Sequence, residues 1–405
     1  MSPLIKVFLV FFLIIVLLRK KVGLGATMMA ATFVLGTFFG LNPLVTSQQL
    51  FLTLLDPSTM GLILSLVLIM ILESIMRQTG MLRTMTDSIF ELPWNPRLLI
   101  VSIPAIIGLL PSAGGARFSA PLVDQATRNR SFTPEKRVFI NYWFRHMWEF
   151  SLPLYPGLLL SAHISGISLS AILMWQWPFS IVFAILGYWY VFHIGQAKDD
   201  PSDPACSKTN RVFANLLKIG SLTWPLWVTV MLVLLHVQIA LSLTIVLLLL
   251  IIQKKYSLRS VWQTLLEPLT LRIVLLTWGT MAFKDVLEVS GAVEQVSSAF
   301  NNIGIHPIAA LILLPLLIGI LTGLVQACIG VSFPLVMALV EPSASYVMLA
   351  YVAGVSGVML SPVHLCFILT VEYFKADFIK SYRPLFVPTL LIVLFSTVVF
   401  KIFAY

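Results

Sequence analysis

Of 405 residues, 59% are hydrophobic and only 11% charged, where a soluble domain carries about 25% charged residues. Mean hydropathy is +0.96, which is more apolar surface than one water-soluble core can hide. The formal charge of +9 lies in short links between apolar runs, where basic residues act as topology signals, so nucleic acid is excluded as a partner.

The apolar runs have the roughly 17–25 residues that cross a bilayer as a helix. They lack the period-two alternation of barrel strands, so the expected fold class is an all-α, polytopic integral membrane protein. The first run, 3–18, precedes Arg19, Lys20 and Lys21. A signal peptide places its charges before the apolar run, so a retained span is predicted. Further spans are predicted at 22–40, 59–76, 138–162, 169–193, 218–236, 238–253, 271–289, 343–371 and 385–404, about ten crossings in all. Two apolar stretches, 97–123 and 306–340, are broken in the middle by small and polar residues and are predicted as re-entrant helical hairpins.

Charge tests this layout. With Arg19–Lys21 in the cytoplasm, the cytoplasmic links hold Arg77, Arg83, Arg97, Arg128, Arg130, Lys136 and Arg137, then Lys198 to Lys218, then Lys254, Lys255 and Arg259, and lastly Lys375, Lys380 and Arg383. The opposite links hold almost none, as the positive-inside rule demands, and both termini lie outside the cytoplasm. The predicted organisation is scaffold helices over 1–58, a first repeat over 59–194, a cytoplasmic linker over 195–217, further scaffold helices over 218–270 and a second repeat over 271–405.

The repeat rests on ordered matches. Gly80 matches Gly291, and 291 minus 80 gives an offset of 211; Pro104 matches Pro315 and Gly108 matches Gly319 at the same offset. After a two-residue slip, Ser119-Ala-Pro121-Leu-Val recurs as Ser332-Phe-Pro334-Leu-Val. Ser151-Leu-Pro153 and Ser361-Pro362 each interrupt the span that follows. Five predicted crossings separate equivalent points, and an odd number inverts the second copy. Inverted repeats with broken helices build secondary transporters, whose solute sites lie near the midplane at the breaks.

This order of span, amphipathic segment, hairpin and broken span resembles the ion transporter superfamily of secondary carriers. That superfamily includes divalent-anion/sodium symporters, gluconate and C4-dicarboxylate carriers, and arsenite-pump-type proteins. The segments LLPSAGGARFSAPLV (109–123) and SPVHLCFILTVEYF (361–374) resemble a prokaryotic branch known as a domain of unknown function. The resemblance implies a scaffold domain, a mobile transport domain, elevator-type movement, a homodimer and the prokaryotic cytoplasmic (inner) membrane with its lipids. The carboxylate carriers have Ser-Asn-Thr at their hairpin tips. Here the tips read Ser112-Ala-Gly114-Gly115-Ala and Gln326-Ala-Cys328-Ile-Gly330, a departure that counts against dicarboxylate as the solute and against its sodium sites.

Candidate site residues follow from the breaks. In hairpin one, free N–H groups at a half-helix start favour an anion. Ser112, the Gly114–Gly115 backbone, Arg117 and Ser119 could clamp one; alternatively Arg117 pairs with Asp124 or reaches the interface. In hairpin two, Gln326, Gly330 and Ser332 offer hydrogen bonds to a solute or carbonyls to a cation, or else simple small-residue packing. Asn141, Arg145 and Glu149 repeat every four residues, with His146 adjacent. On one helix they form a polar stripe: a proton relay, a solute face, or a structural Arg145–Glu149 pair. Ser361 and His364 mark the break in the later span, where His364 could carry protons or only pack.

No catalytic Ser/His/Asp set, HExxH spacing, CxxC pair or Walker A sequence is present, so neither an enzyme nor a resident metal or cofactor is expected. The expected function is secondary active transport of a small anionic solute, coupled to H⁺ or Na⁺. The alternative is an exporter or flippase of a lipid-linked or amphipathic anionic substrate.

Overall fold

The computed structural model describes residues 1–91, 95–111, 115–128, 130–194, 212–304 and 306–403. Among them every regular element is helical and no strand occurs. Four helices are long and apolar enough to cross a membrane: Pro57–Gln78, Leu169–His193, Leu217–Leu234 and Phe378–Phe403. A fifth candidate is Leu258–Leu265 with Pro268–Val289, bent by 52° at a short break.

The first half runs α1 (Pro3–Arg19), α2 (Leu24–Phe38), α3 (Pro43–Leu55), α4 (Pro57–Gln78), α5 (Met81–Phe90), α6 (Pro96–Ile107), α7 (Gly115–Thr127), α8 (Pro134–Arg145), α9 (Pro156–Ser165) and α10 (Leu169–Trp189). The second runs α11 (Val212–Leu234), α12 (Ile239–Lys254), α13 (Leu258–Leu265), α14 (Pro268–Val289), α15 (Ala292–Ile303), α16 (Pro307–Thr322), α17 (Val325–Val336), α18 (Ala344–Met359), α19 (Leu365–Phe374), α20 (Phe378–Tyr382) and α21 (Phe386–Phe403). The linker predicted at 195–217 falls mostly outside the described residues. The amphipathic helices α3 and α13, which apolar runs alone did not predict, occupy matching places before α4 and α14.

The two halves match in their local chemistry, not only in helix order. Two prolyl starts recur: Pro57 and Pro268, Pro96 and Pro307. Proline suits a helix's first turn, where its missing N–H would have no partner. The caps recur as well. Asn95 accepts from the Arg97 amide and His306 from the Ile308 amide. Thr133 accepts from Lys136 and Ser343 from Tyr346; Ser168 accepts from Ala171 and Asp377 from Lys380. Left-handed residues pair off too: Lys21 with His236, Gly40 with Lys255, Gly80 with Gly291 and Gly166 with Lys375. The last pair closes α9 and α19.

Contacts between the halves are reciprocal. α2 packs on α14 while α12 packs on α4; α1 meets α15 while α11 meets α5; α17 packs on α9 while α7 packs on α19. α4 touches α14 and α10 touches α21, each its own counterpart. Such exchange is what an isologous, two-fold-like interface requires. Single hydrogen bonds obey it. Ser74 Oγ lies 2.9 Å from Thr264 Oγ1, and at the exchanged positions Thr53 Oγ1 donates to Asp285 Oδ2 at 2.5 Å.

Within each half a tight seam joins two helices, α6 to α8 and α16 to α18. A Cβ on Gly108 would stand 2.2 Å from the Arg145 carbonyl oxygen, and one on Gly319 would stand 2.5 Å from that of Gly354. Backbone meets backbone at both places, so no side chain can yield. Gly108→Ala and Gly319→Ala should each cost roughly 1–3 kcal/mol by overpacking, read as a lowered melting temperature of the detergent-solubilised protein. Gly220→Ala, with open space around it, should leave the melting temperature unchanged or raise it.

Candidate functional site

The spans expected at 138–162 and 343–371 are each interrupted. α8 stops at Arg145, a short 3-10 turn covers Met147–Glu149, and α9 begins at Pro156. α18 stops at Met359, Ser361-Pro362 turns the chain, and α19 begins after His364. The sequence stripe Asn141, Arg145, Glu149 therefore does not lie on one helix: its third member stands beyond the break. Proline keeps both interruptions open: Pro362 lacks the N–H that a continuing α18 needs, and Pro153 and Pro156 keep the helix from resuming before α9.

A broken helix leaves carbonyls without partners, costly where water is excluded. Here the opposite half supplies them. Tyr142 of α8 donates its hydroxyl to the Met359 carbonyl at 3.1 Å, and Tyr351 of α18 donates to the Glu149 carbonyl at 3.0 Å. Positions 149 and 359 are counterparts. Further carbonyls are met by Tyr155 on Gly108 (2.6 Å), Trp148 on Ala105 (2.7 Å) and Tyr382 on Leu360. The two breaks are thus fastened to each other and to hairpin one.

Polar side chains crowd this junction. Arg145 is 5% exposed and Glu149 7%, with His146 and His364 also buried. Arg145 Nη1 donates to Cys366 Sγ at 3.2 Å. His146 Nδ1 lies 2.6 Å from the Tyr142 carbonyl, so that nitrogen carries the proton and Nε2 faces Glu149 Oε1 at 4.0 Å. The His146 and His364 rings stand 5.1 Å apart, edge to face. Glu149 Oε2 and His364 Nδ1 are buried with no hydrogen-bond partner, at a free-energy cost that a bound polar group would offset. Asn141 closes the side toward hairpin one, donating to the Ala116 carbonyl at 3.3 Å and to Thr370 at 3.0 Å.

A family model described as "Protein of unknown function (DUF401)" matches residues 1–403. The chain belongs to that family. No curated protein matches it.

In this DUF401 chain the residues singled out from sequence separate into two groups. Asn141, Arg145, His146, Glu149 and His364 come together; Ser361 stands beside them, its hydroxyl accepting from the Val363 amide at 3.3 Å and packed close to Gly323. The hairpin residues do not join them through their side chains. Ser112 and Gly114 lie outside the described residues. Gly115 opens α7, buried. Arg117 is 69% exposed and stands 3.8 Å from Glu372, while Asp124 pairs with Arg137 at 2.7 Å. Ser119, half a turn from Arg117, is buried and bonds back to the Gly115 carbonyl at 3.2 Å. In α17, Ser332 bonds its own helix at Cys328 (2.6 Å), and a Cβ on Gly330 would strike Thr280 of α14. Gln326 is half-buried.

Three residues were missed. Cys366, Tyr142 and Tyr351 carry no local signal beyond Cys366 following His364 by two positions. Among the described residues His146, His364 and Cys366 are the one set of three metal-type ligands, with ligand atoms within 4.8 Å of one another. The nitrogen and sulfur donors would suit Zn²⁺. The Arg145 guanidinium on the thiol sulfur opposes a dication there and favours negative charge.

If the crossed tyrosines hold the breaks, Tyr142→Phe and Tyr351→Phe should each lose roughly 1–3 kcal/mol by orphaning a buried carbonyl. Thermal or denaturant unfolding of the purified variants checks this. A loss at one site alone would show that the two breaks are not supported alike.

Proposed function

We propose that this chain is a secondary active transporter of a small anionic solute in a prokaryotic cytoplasmic membrane. It would work by alternating access of the elevator type on a fold akin to the ion transporter superfamily. One observation carries this reading: two broken spans, one from each matched half, meet at a buried cluster holding Arg145, Glu149 and two histidines. A charge at membrane depth is expensive and persists where it serves a solute or ion path.

The reading includes about ten crossings, with α6–α7 and α16–α17 as re-entrant hairpins. α7 has 13 residues, hence about 20 Å of helix, against a hydrocarbon core of about 30 Å. It dips into the bilayer and does not cross it. α9, α17 and α19 each start just after an interruption, and in this reading their unpaired N–H groups, with those of α7, face the solute. Arg145 then supplies the full positive charge for the anion, Asn141 and the start of α7 line its other side, and His146, His364 and Glu149 move the coupling proton. Two imidazoles and a carboxylate suit H⁺; Na⁺ is the alternative coupling ion.

The test is solute counterflow in liposomes across a panel of inorganic and organic anions. Arg145→Gln should abolish accumulation, by about 100-fold or more if the pairing is worth about 3 kcal/mol. Arg145→Lys should keep part of it. Arg117→Gln should stay within about threefold, as expected of an exposed pair. Full transport by Arg145→Gln would sink the assignment.

Inversion of the halves has its own test. Arg83 and Glu294 are counterparts on α5 and α15, both exposed. In a cysteine-free background, Arg83→Cys should react with a membrane-impermeant maleimide from the cytoplasmic side only, and Glu294→Cys from the opposite side only. Labelling of both from one side would exclude the inverted arrangement.

A further inference from the structure

A groove of about 430 Å³ runs between the end of α10 and the α20–α21 corner. Its walls are Leu186 and Trp189 on one side and Val387 and Leu391 on the other; Lys380 and Arg383 stand at its mouth. The volume lies in the range of small-molecule clefts. Both cations are exposed, and among the described residues neither enters an ion pair. Glu135 at the start of α8 lies within electrostatic reach of Lys380, and Asp377 is occupied capping α20 through the Lys380 amide.

The matched halves show that these charges are not demanded by the fold. Ser168 caps α10 as Asp377 caps α20, which sets Lys380 opposite Ala171 and Arg383 opposite Met174. The counterpart stretch, the first turns of the continuous helix α10, is therefore uncharged at these positions. The second copy thus carries two cations beside an apolar trench that also holds Trp189 and Tyr190, residue types that sit at headgroup level.

We propose that this groove is a binding site for one anionic phospholipid. Lys380 and Arg383 hold the headgroup phosphate, and one acyl chain lies along Leu186, Val387 and Leu391. The phosphate is matched by the two charges, Arg383 offering its planar fork and Lys380 a point charge. An acyl chain matches the apolar walls, and no soluble anion would use them. The corner formed by α20 thereby rests on the leaflet that carries anionic lipid. The site requires only that the chain sit in a bilayer and stands apart from the transport reading.

Native mass spectrometry of the intact full-length protein, released from neutral detergent with phosphatidylglycerol or phosphatidylcholine, tests it. Phosphatidylglycerol should be retained in preference, and Lys380→Gln/Arg383→Gln should weaken retention by about 30-fold, the combined effect of two surface charges on an anionic lipid. Lys254→Gln/Lys255→Gln, an exposed basic pair elsewhere, should leave it unchanged. Val387→Trp, which fills the trench and spares the charges, should also abolish the preference. All five positions are exposed, so folding should survive, and unchanged melting temperatures without lipid would show it. Equal retention of the two lipids, an unaffected Val387→Trp variant, or competition by inorganic phosphate alone would each overturn the proposal. The first denies charge recognition, the second the groove, and the third the lipid.

Discussion

The arrangement depends on one constraint. A helix broken where water is excluded exposes carbonyls and amides that must find partners inside the protein. This chain breaks two helices, at Arg145 and at Met359, and each break draws a partner from the opposite half. The partners are tyrosines, Tyr142 to Met359 and Tyr351 to Glu149. Neither half is complete alone. The two-fold-like exchange of contacts is a condition of having irregular backbone in the centre, and so of having a polar centre at all.

Symmetry of the backbone goes with asymmetry of the chemistry. The pair Glu73 and Arg77, 3.8 Å apart, occupies the places where the other half has Lys284 and Glu288, 3.1 Å apart, with the order of charges reversed. At the crossed hydroxyl contacts, Ser74 stands where the other half has Asp285. At the breaks, Arg145, His146 and Glu149 face Val355, Ser356 and Met359 as their counterparts, while Cys366 and His364 belong to the second half alone. A scaffold of matched caps and glycines tolerates such divergence because helix ends and seams are fixed by backbone groups. The junction then holds one cluster of unlike groups where a faithful duplicate would hold two alike.

How far this was legible in the sequence depends on the range of the interaction. Apolar runs and local caps report on neighbours a few residues away, and α1, α4, α10 and α21 lie close to their predicted limits. Proline and glycine marked the places where helices stop, and the offset of Gly80 from Gly291 revealed the duplication. Periodicity misled at Glu149. Spacing of four means one face only while the helix continues, and this one ends at Arg145. Arg117 looked like the charge at the heart of the molecule because it follows a glycine-rich tip; its side chain instead turns outward to Glu372. The charge that is enclosed belongs to Arg145, and its partner Cys366 lies 221 residues away. No spacing rule spans that distance.

The cluster's electrostatics also bear on what it can hold. Arg145 is fixed by burial and by its contact with Cys366, and a guanidinium stays charged under all ordinary conditions. Glu149 stands within electrostatic reach of Arg145, and the nearest nitrogen of His146 is 4.0 Å from its carboxylate. One carboxylate oxygen and one imidazole nitrogen remain buried without partners. A site built only for stability would close such gaps, because well-packed apolar groups serve the core at least as well as an imperfect ionic network. Open hydrogen-bonding capacity beside a fixed positive charge is the feature on which the proposed transport role rests. The two halves, bound to each other through the same breaks, share the cost of keeping irregular backbone and unlike charges at the centre.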